Sequence, residues 1–381
     1  MGGTNGKGST ATMLYGILRA AGWRVGLYTS PHLVSFRERM VVDGAAIPED
    51  AVAVWTERLH AVAEERRASF FEITTAIAFA DFAARGVDVA VVEVGLGGRL
   101  DATNVLTPLA CGVTRIALEH TEYLGPDLAS IAREKAGIAK PGVPFVTTEP
   151  SDEVAAVLER GALERGAAFE RLEVAGAVGA LAADGAGLVF DLATPARCYR
   201  GLRTALGGAH QAANAALAVR LAERLPARWR VDEAAVREGL LGARVPGRFE
   251  RRAGWVFDVA HNPDGARALV GALGAARLPR PLVAVVSVLR DKAWREFLAA
   301  LAPAVDALLL TRAPSAPADR AWSVEEAAAW CREAGIAARA EPAFDAALAA
   351  ARAEGRTALV TGSFHTVGDA MARLPGMAPL G

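Results

Sequence analysis

Strand-length apolar runs alternating with helix-length amphipathic segments predict an α/β protein, and three observations carry that prediction. The run Val87–Val94 is nearly continuous in apolar side chains and bounded by turn signals, as a strand buried on both faces requires. The stretch Gly3-Thr4-Asn5-Gly6-Lys7-Gly8-Ser9-Thr10 opens directly into a helical pattern, where backbone N–H groups and a lysine can gather around an anion. Glycine and proline concentrate in Gly242–Arg248, and the strand–helix rhythm restarts beyond them, which divides the chain into residues 1–244 and 245–381.

The 381 residues are enough for two domains, each with its own core. Hydrophobic residues make up 52% and charged residues 22%, the balance of a globular protein. A net charge of −1 argues against broad electrostatic attraction to nucleic acid or to an anionic membrane surface. Cys111, Cys198 and Cys331 are widely spaced and form no paired motif, which points to reduced, structural cysteines. No apolar run reaches the roughly 18 residues of a membrane span, and nothing near Met1 resembles a cleavable signal, so the cytoplasm is the expected location. No exposed heptad or apolar strip argues for a partner chain.

Along the chain, a helix is expected from Ala11 to Ala21 and a short strand from Trp23 to Tyr28, running into Thr29-Ser30-Pro31-His32-Leu33. Small hydroxyl residues and proline after a strand mark a ligand-facing loop in an open sheet. Pro48, Glu49 and Asp50 open a helix that runs to about Arg67, and a further helix covers Ile73–Ala84. The strand Val87–Val94 delivers Glu93 to its C-terminal end, ahead of Gly95-Leu96-Gly97-Gly98. A carboxylate there suits a magnesium-facing acid beside a phosphate loop, or a cap for the loop glycines. Leu109–Ile116 reads as a buried strand ending near Glu119-His120, followed by a helix over Asp127–Ala139. Residues 151–206 read as a helix and short strands without evident chemistry. Helices over His210–Leu225 and Asp232–Leu241 lead to the boundary. Past it, strands fit Trp255–Val259, Leu282–Val288, Ala307–Thr311 and Thr357–Thr361, and helices fit Gly265–Ala276, Ala293–Ala302, Val324–Ala334 and Phe344–Ala353.

Taken together, GTNGKGST (3–10), TSPHL (29–33), FRERMVVDG (36–44), EVGLGGRLDATN (93–104), EKAGI (134–138), HQAANAALA (210–218), PGRFE (246–250) and DVAHNPDG (258–265) resemble the folylpolyglutamate synthase and dihydrofolate synthase family, within the wider Mur ligases. The resemblance implies a P-loop ATPase domain with a mostly parallel sheet over 1–244 and a smaller Rossmann-like glutamate-ligase domain over 245–381. It implies an ATP-dependent ligase: a carboxylate on a folate or dihydropteroate is phosphorylated, and L-glutamate displaces the phosphate as the amide forms. It also implies a monomer.

On the same resemblance, Thr4, Asn5, Gly6, Lys7, Gly8 and Ser9 would hold the ATP phosphates, and Asn214, Arg248 and Asp258 would contact nucleotide. Ser30, Glu93 and His120 would bind magnesium, and a carbamylated Lys135 would hold a second magnesium ion. Arg248 would stabilise charge during phosphoryl transfer, His261 and Ser363 would handle glutamate, and Asp101 would face the pterin. On the residues alone, His120 and His261 also read as loop histidines, Lys135 as a surface lysine and Arg248 as a salt-bridged linker residue. The family usually carries Asp-His where Glu119-His120 stands here.

The family usually has several tens of residues ahead of the phosphate loop, including its supporting strand, whereas Met1 and Gly2 precede it here. Exposed ladder edges, a poorly held loop and weak ATP binding are therefore expected. Two rival readings are a Mur-type peptidoglycan ligase and a non-catalytic nucleotide-binding relic. The retained Lys7, Glu93, His120, Lys135 and Arg248 argue against the relic.

Overall fold

The structure is a computed structural model that describes residues 1–183 and 187–380. Strands β1 (Val25–Tyr28), β2 (Met40–Val42), β3 (Ala45–Ala46) and β4 (Val89–Val92) form one sheet in the order β3-β2-β1-β4. Strands β5 (Cys111–Val113), β6 (Pro144–Thr147) and β7 (Ala168–Arg171) form a second, all-parallel sheet. Strands β8 (Val178–Ala183), β9 (Leu188–Ala193) and β10 (Cys198–Thr204) form a third, all-antiparallel. This part of the chain is thus more mixed than the expected mostly parallel sheet, since only β1 and β4 pair parallel in the first sheet. The cause of the β2–β3 pairing lies in Asp43-Gly44: φ is 52° and 88° at the two positions, the mirror-image turn that joins antiparallel strands tightly.

Met1 and Gly2 lie between β4 and β5 and are hydrogen bonded on both sides. The Met1 amino group donates to the Val92 carbonyl at 2.6 Å, and the Val94 amide donates to the Met1 carbonyl at 2.9 Å. Gly2 N–H donates to the Gly112 carbonyl at 2.8 Å and the Gly2 carbonyl accepts from Thr114 N–H at 3.0 Å, bridging to Val113. The phosphate loop is therefore anchored to both sheets, contrary to the expected loose attachment. Burial lowers the pKa of the Met1 amino group from its ordinary value.

The helix Lys7–Ala20 begins directly at the loop and buries Met13, Leu14, Ile17 and Leu18 against helices His210–Glu223 and Glu233–Gly242. Two glycines permit that approach: a Cβ on Gly239 would lie 2.3 Å from the Ile17 nitrogen, and one on Gly16 would lie 2.6 Å from the Gly239 carbonyl oxygen. The helix Phe70–Ala84 begins three residues earlier than expected, because Ser69 and Glu72 form a reciprocal capping box.

The later part of the chain holds β11 (Glu250–Arg252), β12 (Trp255–Phe257), β13 (Leu282–Val286), β14 (Ala307–Leu310), β15 (Ala338–Ala340) and β16 (Thr357–Thr361) in the order β11-β12-β16-β13-β14-β15. All but β11 run parallel, in keeping with strands such as Leu282–Val286 whose residues are all buried. The sequence reading did not anticipate β11, β15 or the final helix Phe364–Arg373. Buried core residues fall into clusters drawn either from positions up to Ala243 or from Phe249 onward, so the chain changes core across the Gly- and Pro-rich stretch.

Candidate active site

Gly6 starts the first helix in the left-handed region, at φ 96°, and a Cβ there would lie 2.4 Å from the Asn214 side-chain oxygen. Only glycine fits. Asn214 donates to Gln211 at 2.9 Å, and Gln211 reaches Ser9 Oγ at 3.5 Å, so the start of helix His210–Glu223 supports the loop from behind. The Thr4 amide is held by the Arg115 carbonyl at 2.9 Å, and Lys7 Nζ donates to the Thr4 carbonyl at 3.1 Å. Asn5 turns to the other half of the chain: its side chain donates to Asp264 at 3.0 Å and accepts from Asn262 at 3.2 Å.

Glu93 is buried at the end of β4, accepts the Ser30 amide at 3.1 Å and lies against Gly8, where a Cβ would sit 3.4 Å away. Burial raises its pKa, and the charges of Lys7 and Arg248 oppose the rise. Lys135 is also buried, and its ammonium donates to the Gly3 carbonyl at 2.7 Å. Burial, reinforced by Lys7, brings its pKa down to about 7. His120 caps a short helix in the left-handed region at φ 51°, and burial together with Lys292 lowers its pKa to about 4. It is thus a neutral imidazole at physiological pH, the form that binds metal. Among the described residues no group of three or more His, Cys, Asp or Glu could hold a metal ion by itself. Ser30 and Glu93 meet through the Ser30 amide, and a carboxylate, a hydroxyl and an imidazole are donor types that a hard cation accepts when phosphate and water complete its shell.

The other expected residues are structurally employed. Asp258 is half-buried and accepts the Phe249 and Ala260 amides, both at 2.9 Å, which ties the hinge to the end of β12. Arg248 lies over the Phe364 ring at 5.3 Å. Asp101 accepts from the Gly95 and Leu96 amides and from the Thr103 amide and hydroxyl, bracing the glycine-rich loop. Ser363 caps the final helix by accepting the Thr366 amide at 3.0 Å.

His261 faces the Val259 carbonyl with Nδ1 at 2.8 Å and the Glu119 carboxylate with Nε2 at 2.7 Å. The same Glu119 oxygen accepts from Lys292 Nζ at 3.0 Å. Burial alone would raise the pKa of Glu119, but the His261 hydrogen bond and the His261 and Lys292 charges hold it well below the usual carboxylate range. Sequence reasoning missed Lys292, which lies 173 positions from its partner. It also missed a second cluster: Phe70 is 61% exposed, stands edge-on to Phe36 at 6.0 Å and has the Arg39 guanidinium beneath it at 5.4 Å. An exposed aromatic backed by a buried cation is a shelf for a flat ligand.

A cleft of about 1580 Å³ lies between the two halves, lined by Gly6, Ser9, Asn214, Arg248, Asp258 and His261 among others. Open α/β sheets bind ligands at the C-terminal ends of their strands, and residues just past β6 (Thr148) and β12 (Asp258, His261) line this cleft.

Comparison with known proteins identifies the family. The Mur ligase middle domain matches residues 1–222, and the Mur ligase glutamate ligase domain matches residues 247–364. The dihydrofolate synthase/folylpolyglutamate synthase of Escherichia coli (strain K12) is 37% identical over 379 residues, covering 97% of this chain and 84% of that protein. The Mycobacterium tuberculosis (strain ATCC 25618 / H37Rv) protein of the same name is 40% identical over 334 residues, covering 81% and 69%. Among solved structures, Mycobacterium tuberculosis folylpolyglutamate synthase complexed with ADP and AMPPCP superposes with a TM-score of 0.88 at 36% identity, covering 97% of this chain and 89% of that one. A bifunctional folylpolyglutamate synthase/dihydrofolate synthase with Mn, AMPPNP and L-glutamate bound gives 0.84 at 35% identity, covering 97% and 87%. This chain belongs to the folylpolyglutamate synthase/dihydrofolate synthase family of the Mur ligases, the ATP-dependent ligases that add glutamate to folates.

Proposed function

We propose that the cleft between residues 1–244 and 245–381 binds ATP, and that a folate or dihydropteroate carboxylate is phosphorylated there and then captured by L-glutamate. The observation that carries this reading is that one cleft is lined from one side by Gly6 and Ser9 of the phosphate loop and from the other by Arg248 and His261. Gly6, Lys7, Gly8 and Ser9 neutralise and orient the phosphates, with Thr4 and Asn5 shaping the loop and Asn214 and Asp258 bracing the nucleotide pocket. Arg248 stabilises the charge that spreads over the transferring phosphoryl group. Ser30, Glu93 and His120 would hold magnesium, which supplies charge neutralisation across the phosphates. Lys135, uncharged in half its copies near pH 7, is suited to carbamylation, and its carbamate would offer an anionic ligand to a second magnesium ion.

The acceptor's flat ring system rests on Phe36 and Phe70, beside the loop that Asp101 braces. His261 lines the cleft, and it would handle the anionic amino acid together with Lys292 and Ser363. The amine of L-glutamate attacks the acyl carbon, the C–N bond forms, the C–O bond to phosphate breaks, and the amine proton leaves with solvent. The test uses an acceptor labelled with ¹⁸O in its carboxylate. An acyl phosphate transfers one labelled oxygen to inorganic phosphate during turnover, and unlabelled phosphate would rule that intermediate out.

A further inference from the structure

The loop after β1 is held at three points. Ser30 N–H donates to Glu93, and His32 Nδ1 accepts from Arg39 at 2.8 Å. The Leu33, Val34 and Ser35 amides all donate to the Glu38 carboxylate, at 2.9, 3.0 and 2.6 Å. These bonds tie residues 30–35 to Glu93, Arg39 and Glu38. From this segment Leu33 reaches into the other half of the molecule. It packs on the cluster that contains Val259 and Val367, whose other members all come from Trp255 onward among the described residues.

The socket is built for close contact. A Cβ on Gly368 would lie 2.1 Å from the Leu33 carbonyl oxygen. A Cβ on Gly247, already at φ 68°, would meet Val259, Leu33 and Val367 at 3.0–3.2 Å. Any residue larger than glycine at position 368 would push the loop outward, and with it Ser30.

We propose that Leu33 is a positioning residue: its seat between Gly247, Val259, Val367 and Gly368 fixes the loop that sets Ser30 against Glu93, so docking of the two halves completes the divalent-cation site. This rests on the reading that Ser30 and Glu93 hold that cation. A group that has to be placed to within a fraction of an ångström is thereby controlled by an apolar contact in the other half. Closure of a two-part ligase thus reports directly to its metal ligands.

The test measures Mn²⁺ binding by electron paramagnetic resonance with ADP present, and ADP binding without metal, on the full chain. Leu33→Ala and Gly368→Ala should each weaken Mn²⁺ about ten-fold, the range seen when supporting contacts of a metal ligand are lost. ADP affinity without metal should stay unchanged, and Leu33→Met should restore Mn²⁺ binding. Unaltered Mn²⁺ affinity in both alanine variants overturns the proposal, as does an equal loss of ADP binding with and without metal. Glu93→Gln separates the two layers of the argument. If it weakens Mn²⁺ while Leu33→Ala does not, only the coupling through Leu33 is wrong; if it leaves Mn²⁺ binding intact, the cation reading falls and the proposal with it.

Discussion

Replacing Glu119 with glutamine should loosen the joint between the two halves. Glu119 accepts from His261 and Lys292, and the three side chains are only 10%, 20% and 12% exposed. Removing one partner of a buried ionic cluster costs about 3–5 kcal/mol, and here the retained amide still bonds to His261 and some solvent reaches the site. About 2 kcal/mol is the expected loss at pH 7. The pH dependence follows from the depressed pKa of Glu119, whose ordinary value is 4.5. A depressed carboxylate contributes stability that is fully present above its unfolded pKa and fades as pH falls below it. The wild type should thus exceed Glu119→Gln by a constant margin above about pH 5, and the margin should shrink below pH 4.5.

Because Glu119 and its partners lie on opposite sides of the hinge, the loss should appear as separated unfolding of the halves. Urea denaturation followed by tryptophan fluorescence reads this: Trp23, Trp55 and Trp229 report the first half, and Trp255, Trp294, Trp322 and Trp330 the second. A single transition at the wild-type midpoint at pH 7 would refute the reasoning.

Four further outcomes are expected. Turnover should fall in buffer freed of carbon dioxide and recover with bicarbonate, because a lysine with pKa about 7 keeps its amine uncharged in roughly half the copies at neutral pH, against about one in three thousand for an ordinary lysine. Lys135→Ala should lose turnover about 100-fold yet still bind ADP, and bicarbonate-insensitive turnover with an unmodified lysine in native mass spectra would rule the carbamate out. Gly239→Ala should destabilise the first half by about 2 kcal/mol or more, since its Cβ would meet the Ile17 backbone at 2.3 Å; an unchanged thermal midpoint would contradict that packing. Phe70→Ala should raise KM for the pterin-bearing acceptor about ten-fold and leave KM for ATP alone, and the reverse pattern would remove the aromatic shelf from the acceptor site.

Much of this was legible in the chain because the chemistry is local. The phosphate loop, the acid at the end of β4 and the hinge glycines each declare themselves within a few residues, as do the buried strands Leu282–Val286 and Thr357–Thr361, whereas β4, expected to be buried on both faces, buries only Val91 fully. What stayed hidden is non-local or short. Lys292 looks like a surface lysine until the fold carries it to Glu119, and Leu33 looks like a loop residue until it meets Gly368. Strands of two or three residues, such as Ala45–Ala46 and Glu250–Arg252, are too brief to show a periodicity. Asp101 is expected to face the pterin on the family resemblance, and the fold adds that its carboxylate ties down the Gly95 and Leu96 amides, a bond pattern that no short stretch of sequence displays.

On this reading one chain joins nucleotide chemistry in its first half to glutamate transfer through its second. The most direct measurement is ADP release from MgATP with L-glutamate, run with dihydropteroate, with tetrahydrofolate and with neither. Release that needs both glutamate and an acceptor is the predicted result, and the acceptor that supports it names the activity. Release independent of glutamate, or none with either acceptor, would contradict the account.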